Sequence, residues 1–401
     1  MLLESSKYFK AILLLGARQV GKSTLLAHLF PHVKSIVFDP IQDLYKARQD
    51  PDLFLDSFPA PLILDEIQYV PELLGALKRK MDLSDAKGQY FLTGSQNLSM
   101  LRSVAESMAG RVAIFHLDNL TPQELLRLGD APAWLPAYLN DPKLFYQGRK
   151  AVLEGLPPLV EFLFRGTFPG TIELPTSQIS RYFRSYLQTY VDRDVRLQED
   201  IRQLAEFDRF LGLAASLTAQ EINASQLGRE IGISPHTARR WLDLLLFSYQ
   251  WVELLPYHGN VIKRISGKKK GHLKDAGFAC YLQKMESPES LAVSPNLGAI
   301  FETWVVNYFQ QQCATLDVQP NWYHWRTAAG AEVDLVIEKN GKLYPIEAKC
   351  KTNLSKGDLS GLRAFRETYP KEKVMPALVI YAGKELFKLD EETTAIPWNL
   401  I

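Results

Sequence analysis

A stretch of eight residues near the amino terminus has the composition of a phosphate-binding loop. Residues 16–23 read GARQVGKS and fit the pattern G-x-x-x-x-G-K-[ST] in full. The apolar run 11–15 before it predicts a buried strand, and residues 24–29 after it predict a helix, which is the context that the pattern requires. Glycines let backbone N–H groups approach phosphates, and the helix N-terminus adds a positive dipole. The loop therefore predicts a nucleoside-triphosphate site.

Individual residues of this loop have separate expected roles. Lys22 is expected to reach the β- and γ-phosphates, and the Ser23 hydroxyl is expected to ligate Mg²⁺. The alternative is a glycine turn before an ordinary helix, but the lysine, the hydroxyl and the flanking elements all agree with phosphate binding. The predicted nucleotide-binding residues are Gly16, Ala17, Arg18, Gln19, Val20, Gly21, Lys22, Ser23 and Thr24.

After a second strand-like run at residues 35–38, the apolar run 61–64 predicts a third, buried parallel strand, and an acidic pair follows it directly. Ligands of open α/β sheets lie at the carboxyl ends of the strands. Asp65 is therefore expected to hold Mg²⁺, directly or through water, and Glu66 to orient and polarise the attacking water. The alternative is a solvated strand end without a catalytic role.

Two later positions complete the predicted ATPase site. Residues 89–97 predict a strand that ends in small polar residues, of which we favour Ser95 as the sensor of the γ-phosphate, with Thr93 and Asn97 as alternatives. Arg111 stands at a predicted helix end before the apolar run 112–117. It is expected either to stabilise transition-state charge in a neighbouring subunit or to satisfy the dipole of its own helix.

Residues 11–125 resemble the AAA-type ATPases of bacteria and archaea. The resemblance rests on four segments that occur in order, GARQVGKST, LILDEIQ, FLTGSQN and AGRV. It implies an additional-strand P-loop fold over residues 1–120, binding of ATP with Mg²⁺, and formation of a homo-oligomer. It extends through YLQTYVDRDV into the domain of unknown function that accompanies this ATPase.

The middle of the chain predicts helices and then a winged helix. Residues 121–200 predict a helical extension whose first helix is capped by Thr121, and residues 201–283 predict a helix-turn-helix followed by a strand and a basic loop. The second helix and the loop would face a DNA duplex. The alternative is a winged helix that only packs against other domains. The predicted DNA contacts are Arg239, Arg240, Lys268, Lys269 and Lys270.

Residues 290–401 predict an α/β domain that contains a β-hairpin around Asn340 and Gly341. Counting outward from this turn places Asp334 opposite Glu347, with Lys349 on the same face. Two facing carboxylates repel, so their placement requires a cation or a shared proton. The expected apolar pairs of the opposite face are Ile337 with Tyr344, Leu335 with Ile346, and Val333 with Ala348.

An Asp on one strand and Glu-x-Lys on the next resembles the restriction-endonuclease-like nucleases. The resemblance implies that Asp334 and Glu347 hold Mg²⁺, that Lys349 stabilises the attacking water or the phosphate, and that Glu302 is the helical glutamate of that fold. The alternative is a relict nuclease fold that keeps these residues for stability or binding.

Composition sets the class of protein. The 401 residues include 46 basic and 45 acidic side chains and only three cysteines, which indicates no global attraction to nucleic acid and no disulfide framework. No signal segment or membrane-length apolar run is visible, which predicts a cytoplasmic protein without a membrane partner. The expected function is ATP hydrolysis coupled to rearrangement of a C-terminal half on double-stranded DNA. The alternative is a nucleotide-switched regulatory or protein-interaction module with an inactive nuclease-like domain.

Overall fold

The computed structural model describes residues 1–39, 45–95, 108–129, 131, 133–147, 152–191, 195 and 204–400. The chain divides into two compact units. Unit 1 contains residues 1–119 and 244–250, and unit 2 contains residues 120–243 and 251–401. The expectation for Asn97 lies outside the described residues.

The strands of the described part are β1 (Ala11–Leu15), β2 (Lys34–Val37), β3 (Leu62–Asp65), β4 (Tyr90–Gly94), β5 (Val112–His116), β6 (Gln220–Glu221), β7 (Trp251–Pro256), β8 (Lys270–Leu273), β9 (Asn321–Arg326), β10 (Glu332–Lys339), β11 (Lys342–Lys349), β12 (Lys373–Val374), β13 (Ala377–Tyr381), β14 (Phe387–Lys388) and β15 (Thr393–Pro397).

The α-helices are α1 (Leu2–Ser5), α2 (Lys22–Leu29), α3 (Tyr45–Gln49), α4 (Pro51–Ser57), α5 (Leu73–Asp82), α6 (Pro122–Leu125), α7 (Trp134–Asn140), α8 (Pro142–Gln147), α9 (Leu159–Arg165), α10 (Ile179–Tyr190), α11 (Leu204–Ser216), α12 (Ala224–Ile231), α13 (Pro235–Phe247), α14 (Val261–Ser266), α15 (Ala276–Leu282), α16 (Pro288–Ala292), α17 (Leu297–Cys313) and α18 (Ser360–Thr368). Among the described residues, no helix is long and apolar enough to cross a membrane.

Unit 1 is built on a parallel sheet with the strand order β2-β3-β4-β1-β5. β4 lies between β1 and β3, which is the additional-strand order that the resemblance implied. All residues of β1 are buried, because a central parallel strand is covered on both faces. Leu13 packs on one side with the apolar residues of α5, and Leu14 packs on the other with Leu26 of α2.

The register of this sheet brings the predicted site residues to one edge. Leu15 is paired with Gly94 and with His116, and Leu64 is paired with Leu92. The carboxyl ends of β1, β3 and β4 therefore lie side by side, where ligands of parallel sheets bind. The strand and helix boundaries around residues 11–29 agree with the sequence prediction.

The helices of unit 2 follow the predicted local signals. Thr121 forms a capping box with Glu124, and Pro122 is the first residue of α6. Two helices joined by a tight turn occur at α12 and α13, where Gly232 adopts φ 84° and ends α12. The Ser234 hydroxyl accepts a hydrogen bond from the Thr237 N–H at 3.0 Å and caps α13. The expected pair of helices joined by a tight turn is therefore present.

Unit 2 contains a mixed sheet with the order β14-β15-β13-β11-β10-β9-β7-β8-β6, and β12 is paired with β11. The predicted hairpin is β10 and β11, and its turn residues Asn340 and Gly341 both have positive φ. Its ladder runs from the Lys339–Lys342 pair to the Leu335–Ile346 pair, in the predicted register.

The hairpin differs from the prediction beyond that ladder. The N–H of Ala348, expected opposite Val333, donates at 2.9 Å to the Asp334 carboxylate. The strand β10 also changes register against β9 between Val333 and Val336. Both faces of the hairpin are buried. The reason is that α17 packs beside β11 and α18 packs against β10, so the sheet is covered on two sides.

Candidate functional site

The backbone of the phosphate loop has the conformation that its glycines predict. Gly16 has φ 153°, and a Cβ atom there would stand 2.2 Å from the Leu117 carbonyl oxygen. Gln19 and Gly21 also have positive φ, and α2 begins immediately after Gly21. The loop thus turns sharply between a buried strand and a helix N-terminus, an arrangement that presents N–H groups to an anion.

Lys22 is held inside this loop. Lys22 is only 4% exposed. Its Nζ donates hydrogen bonds to the carbonyl oxygens of Gly16 at 3.0 Å and Ala17 at 2.8 Å. Ser23 and Thr24, on the same first turn of α2, are exposed. The buried ammonium and the accessible hydroxyls therefore come from adjacent positions, as binding of a phosphate and its cation requires.

Asp65 and Glu66 are joined by a buried threonine. The Thr93 hydroxyl donates to Asp65 Oδ1 and accepts a hydrogen bond from the Glu66 N–H at 2.9 Å. Thr93 is fully buried, and Glu66 has the left-handed φ of 57°. A non-glycine residue in this region carries strain that its surroundings must hold in place. Thr93, which the sequence ranked behind Ser95, therefore anchors both acidic residues.

Gln68 is a site residue that the sequence analysis missed. Its Nε2 donates to the Glu66 carboxylate and, at 3.0 Å, to the Ser95 hydroxyl oxygen. Ser95 is buried, and the Gln68 amide links its hydroxyl to the Glu66 carboxylate. The only signal for Gln68 was its place at the end of the LILDEIQ segment.

Arg111 lies away from the phosphate loop of its own chain. The Ala11 N–H donates to the Arg111 carbonyl, which places Arg111 at the amino ends of the strands, whereas the loop follows their carboxyl ends. β1 spans five residues, or roughly 16 Å at about 3.3 Å per residue. The guanidinium Nε donates to Asp82 at 2.6 Å. Of the predicted catalytic residues, Arg111 is thus the one that the fold separates from the others.

The second candidate cluster lies in unit 2 and unites the predicted nuclease-like residues. The carboxylates of Glu302, Asp334 and Glu347 interact electrostatically with one another and with the Lys349 ammonium. The Lys349 Nζ is hydrogen-bonded to Glu347 Oε1. The fifth member is Lys270, whose Nζ lies 2.5 Å from Glu302 Oε1 and 3.4 Å from Asp334 Oδ1.

Burial controls the proton affinities of this cluster. Burial and then the Asp334 charge raise the pKa of Glu347 to about 8, although Lys349 acts in the opposite direction. Burial also raises the pKa of Glu302 well above its usual value. For Lys270, burial acts to lower the pKa, but the carboxylates of Glu302 and Asp334 outweigh it and raise the pKa. Facing carboxylates require a cation or a shared proton. In this cluster Lys270 is the cation, and the raised pKa values of Glu302 and Glu347 favour a bound proton.

The prediction that Lys270 lies on an exposed basic loop is wrong. Lys270 is the first residue of β8 and is 6% exposed, because its ammonium points to the buried carboxylates. The loop prediction failed because residues 261–266 form the helix α14 and because the last lysine of the basic run is already part of the strand β8. Within the residues that the structure describes, no group of three or more His, Cys, Asp or Glu side chains is arranged to hold a metal ion.

The other predicted DNA contacts differ in their surroundings. Arg239 pairs with Asp243 at 2.6 Å and with Glu253 at 3.1 Å, and Lys269 pairs with the same Glu253 at 2.6 Å. The Lys268 side chain is 68% exposed. Arg240 is exposed as well.

Comparison with known families agrees with the geometry of unit 1. Residues 8–126 match the model of an AAA domain. This match identifies an AAA-type P-loop ATPase domain in the N-terminal part and supports ATP binding. Residues 157–289 match a Domain of unknown function (DUF8612), and residues 297–401 match another Domain of unknown function (DUF4143).

Whole-chain relatives and solved structures were also found. The chain is 26% identical over 393 residues to an uncharacterized protein of Mycobacterium tuberculosis, in an alignment that covers 97% of this chain and 80% of the relative. An uncharacterized protein of Mycobacterium bovis matches with the same values. The Walker-type ATPase paby2304 of Pyrococcus abyssi is 16% identical with a TM-score of 0.44, over 70% of this chain and 93% of that chain. The RuvB Holliday junction branch migration motor of Thermotoga maritima is 18% identical with a TM-score of 0.32, over 62% and 85%.

Proposed function

We propose that this protein hydrolyses ATP with Mg²⁺ at the phosphate loop of unit 1. The observation that carries the proposal is that Lys22 and the exposed Ser23 hydroxyl follow β1, and the Asp65–Glu66 pair ends β3, at the same edge of the sheet on the two sides of β4. Oxygen donors of this kind suit Mg²⁺, so Ser23 and Asp65 would hold the ion, which neutralises phosphate charge when bound. Glu66 orients and polarises the attacking water, and Lys22 binds the phosphates.

The test separates nucleotide binding from hydrolysis. Lys22→Ala should abolish ATP binding in a calorimetric titration, whereas Glu66→Gln should bind ATP and hydrolyse it poorly. Glu72→Gln is the matched control, because Glu72 is an exposed glutamate of the same unit. Normal turnover in a purified Glu66→Gln variant would remove Glu66 from the catalytic role.

The proposal includes a neighbouring subunit and Arg111. Since the fold holds Arg111 at the opposite end of the strands from its own phosphate loop, a catalytic role of this guanidinium would have to be at the site of a second copy of the chain. There it would stabilise transition-state charge on the transferred phosphoryl group.

We further propose that ATP hydrolysis drives a rearrangement of the C-terminal half on double-stranded DNA. Two features of unit 2 support this. The order α11-β6-α12-α13-β7-α14-β8, with β8 antiparallel to both β6 and β7, resembles a winged helix with one additional short helix before its last strand. The order α17-β9-β10-β11-α18-β12-β13, with Asp334 and Glu347-x-Lys349 on the hairpin, resembles a restriction-endonuclease-like domain.

The DNA proposal is tested through the ATPase rate. Duplex DNA should stimulate hydrolysis, and the stimulation should fall steeply with added salt, as phosphate contacts require. Replacing Lys268 and Lys269 together by Gln should weaken the stimulation for all DNA sequences. Lys371→Gln, an exposed lysine elsewhere in unit 2, should leave it unchanged. Equal stimulation in all three proteins would contradict the proposed DNA surface.

A second candidate function is a nucleotide-switched regulatory or protein-interaction module whose nuclease-like domain does not cut. The position of Lys270 favours it, because the ammonium already pairs with two of the carboxylates that a catalytic metal ion would use. Metal-dependent DNA cleavage by the wild type that is lost in Lys349→Ala would reject this candidate. Absence of both DNA cleavage and DNA-stimulated ATPase activity would support it.

A further inference from the structure

The short helix between β7 and β8 exposes three aliphatic side chains. Val261, Ile262 and Ile265 of α14 are 62%, 73% and 68% exposed. They stand at positions i, i+1 and i+4, which share one side of a helix. Single exposed apolar residues are ordinary on protein surfaces, but several on one side of one helix indicate an interaction site. These three side chains form the apolar face of α14.

Contacts on the other side hold α14 firmly on unit 2. The Arg264 guanidinium lies 4.3 Å from the centre of the Tyr257 ring and pairs with Glu338 at 3.3 Å. After the helix, a Cβ atom at Gly267 would stand 2.4 Å from Pro256, so the chain returns closely against β7. The three exposed side chains are also all β-branched and therefore stiff. An anchored helix with stiff side chains loses little conformational freedom when a partner covers it.

The segment around the apolar face is basic. Residues 257–269, which connect β7 to β8, contain four Lys or Arg side chains and no Asp or Glu. Of these, Lys263 and Lys268 are exposed. A partner that suits this segment therefore has an apolar contact surface flanked by negative charge. Duplex DNA has both, because its stacked bases lie between two phosphate backbones.

The small area of the apolar face favours DNA over other anionic partners. Three aliphatic side chains bury on the order of 300 Å² of apolar surface. A stable interface between two protein copies needs about 800 Å² on each partner. Attachment to a membrane surface likewise strengthens with the apolar area that is buried. A wedge between two base pairs, in contrast, needs only one or two apolar side chains.

We propose that the apolar face of α14 is a wedge that enters the minor groove of duplex DNA, unstacks one base step and bends the duplex. Lys263 and Lys268 contact the phosphates beside the wedge. Pyrimidine–purine steps such as TA unstack most easily, so the wedge favours deformable sites without hydrogen bonds to base edges. The proposal rests on the DNA binding proposed above, and it adds the groove, the contact and the distortion.

The test uses the full-length protein and short duplexes with a fluorescent dye at each end. One duplex has a central TA step beside a 2-aminopurine, and the other has no pyrimidine–purine step at its centre. The wild type should increase energy transfer between the dyes and the 2-aminopurine fluorescence, and it should bind the TA duplex roughly fivefold more tightly. Ile262→Ser with Ile265→Ser should abolish both signals and this preference. Val293→Ser with Val318→Ser is the matched control and should behave as the wild type, because both valines are exposed residues of unit 2.

Salt dependence separates the wedge from the phosphate contacts. Ile262→Ser with Ile265→Ser removes no charge, so the slope of log affinity against log salt should stay at the wild-type value. Lys268→Gln with Lys269→Gln should reduce that slope by up to about two, while the DNA that still binds remains bent. The unfolding temperature of the serine variant should equal that of the wild type, because the replaced side chains are exposed.

The outcomes distinguish the wedge from DNA binding itself. DNA that the wild type binds without bending or unstacking would overturn the wedge and leave DNA binding in place. Absence of any DNA binding would overturn both proposals. Bending by Ile262→Ser with Ile265→Ser that equals the wild type would also overturn the wedge. If the same variant loses binding to anionic lipid vesicles or self-association, and the wild type leaves DNA straight, the apolar face belongs to that partner and the wedge is wrong.

Discussion

The threonine that joins the two acidic residues of the ATPase site allows a quantitative test. Thr93→Val keeps the shape of the side chain but removes the hydroxyl that donates to Asp65 and accepts from the Glu66 N–H. A hydrogen bond to a charged group contributes about 1.5–3 kcal/mol, and a buried donor left without an acceptor costs about 1–3 kcal/mol. Since one hydroxyl serves both partners, the losses are not additive, and we expect a destabilisation of about 3 kcal/mol.

Hydrogen exchange followed by mass spectrometry measures this loss where it occurs. A change of about 3 kcal/mol corresponds to roughly a hundredfold change in an equilibrium constant, so amides in residues 62–69 should exchange roughly a hundredfold faster. The turnover of ATP should fall as well, because Asp65 and Glu66 lose their common anchor. ATP binding should be affected less, since Lys22 and the loop backbone do not contact Thr93 through any described hydrogen bond.

A buried threonine of unit 2 provides the control for this variant. The Thr171 hydroxyl donates at 2.8 Å to the Phe168 carbonyl, so Thr171→Val removes one neutral hydrogen bond and should cost about 1 kcal/mol. It should leave exchange in residues 62–69 and ATP turnover unchanged. Wild-type exchange and turnover in Thr93→Val would refute the claim that this hydroxyl holds the acidic pair.

Three further predictions concern other positions. Gly16→Ala should abolish ATP binding in a calorimetric titration, because the added Cβ would meet the Leu117 carbonyl at 2.2 Å and the backbone has φ 153°. A mixture of the Arg111→Ala and Lys22→Ala proteins should regain part of the ATPase activity that each lacks, because one subunit then offers an intact loop and the other an intact arginine. Burial raises the pKa of Glu347 to about 8 in the folded protein, so the contribution of this group to stability should fall as pH rises toward 8, by at most about 1.4 kcal/mol per pH unit. Glu347→Gln should flatten this decline in urea unfolding.

Each of these three has a contradicting outcome. Normal ATP affinity in folded Gly16→Ala would show that the loop tolerates a side chain. Full activity of a strictly monomeric wild type would exclude a role for Arg111 in a neighbouring site. For Glu347, the folded pKa lies above that of an unfolded glutamate, so the stabilising contribution is complete at low pH and is lost as pH rises. A stability that increases between pH 6 and 8 and is unaffected by Glu347→Gln would contradict the assignment.

Local signals in the sequence determined the phosphate loop and the hairpin. The spacing of Gly16, Gly21 and Lys22 specifies a sharp turn that needs positive φ at the two glycines. The structure has positive φ at both positions. Asn340 and Gly341 likewise specify a tight turn, which sets the pairing of the strands beside it. In each case the interacting residues are close in the chain, so the pattern of residue types is sufficient.

Only the tertiary structure decided which side chains meet across the sheets. Lys270 belonged to a basic run that predicted an exposed loop, yet its partners Glu302 and Asp334 lie 32 and 64 positions further along the chain. Thr93 and Asp65 are 28 positions apart and meet because β3 and β4 are neighbours in the sheet. The physical reason is that strand order and helix packing, which depend on the whole core, determine where a long side chain is buried and which charge must compensate it.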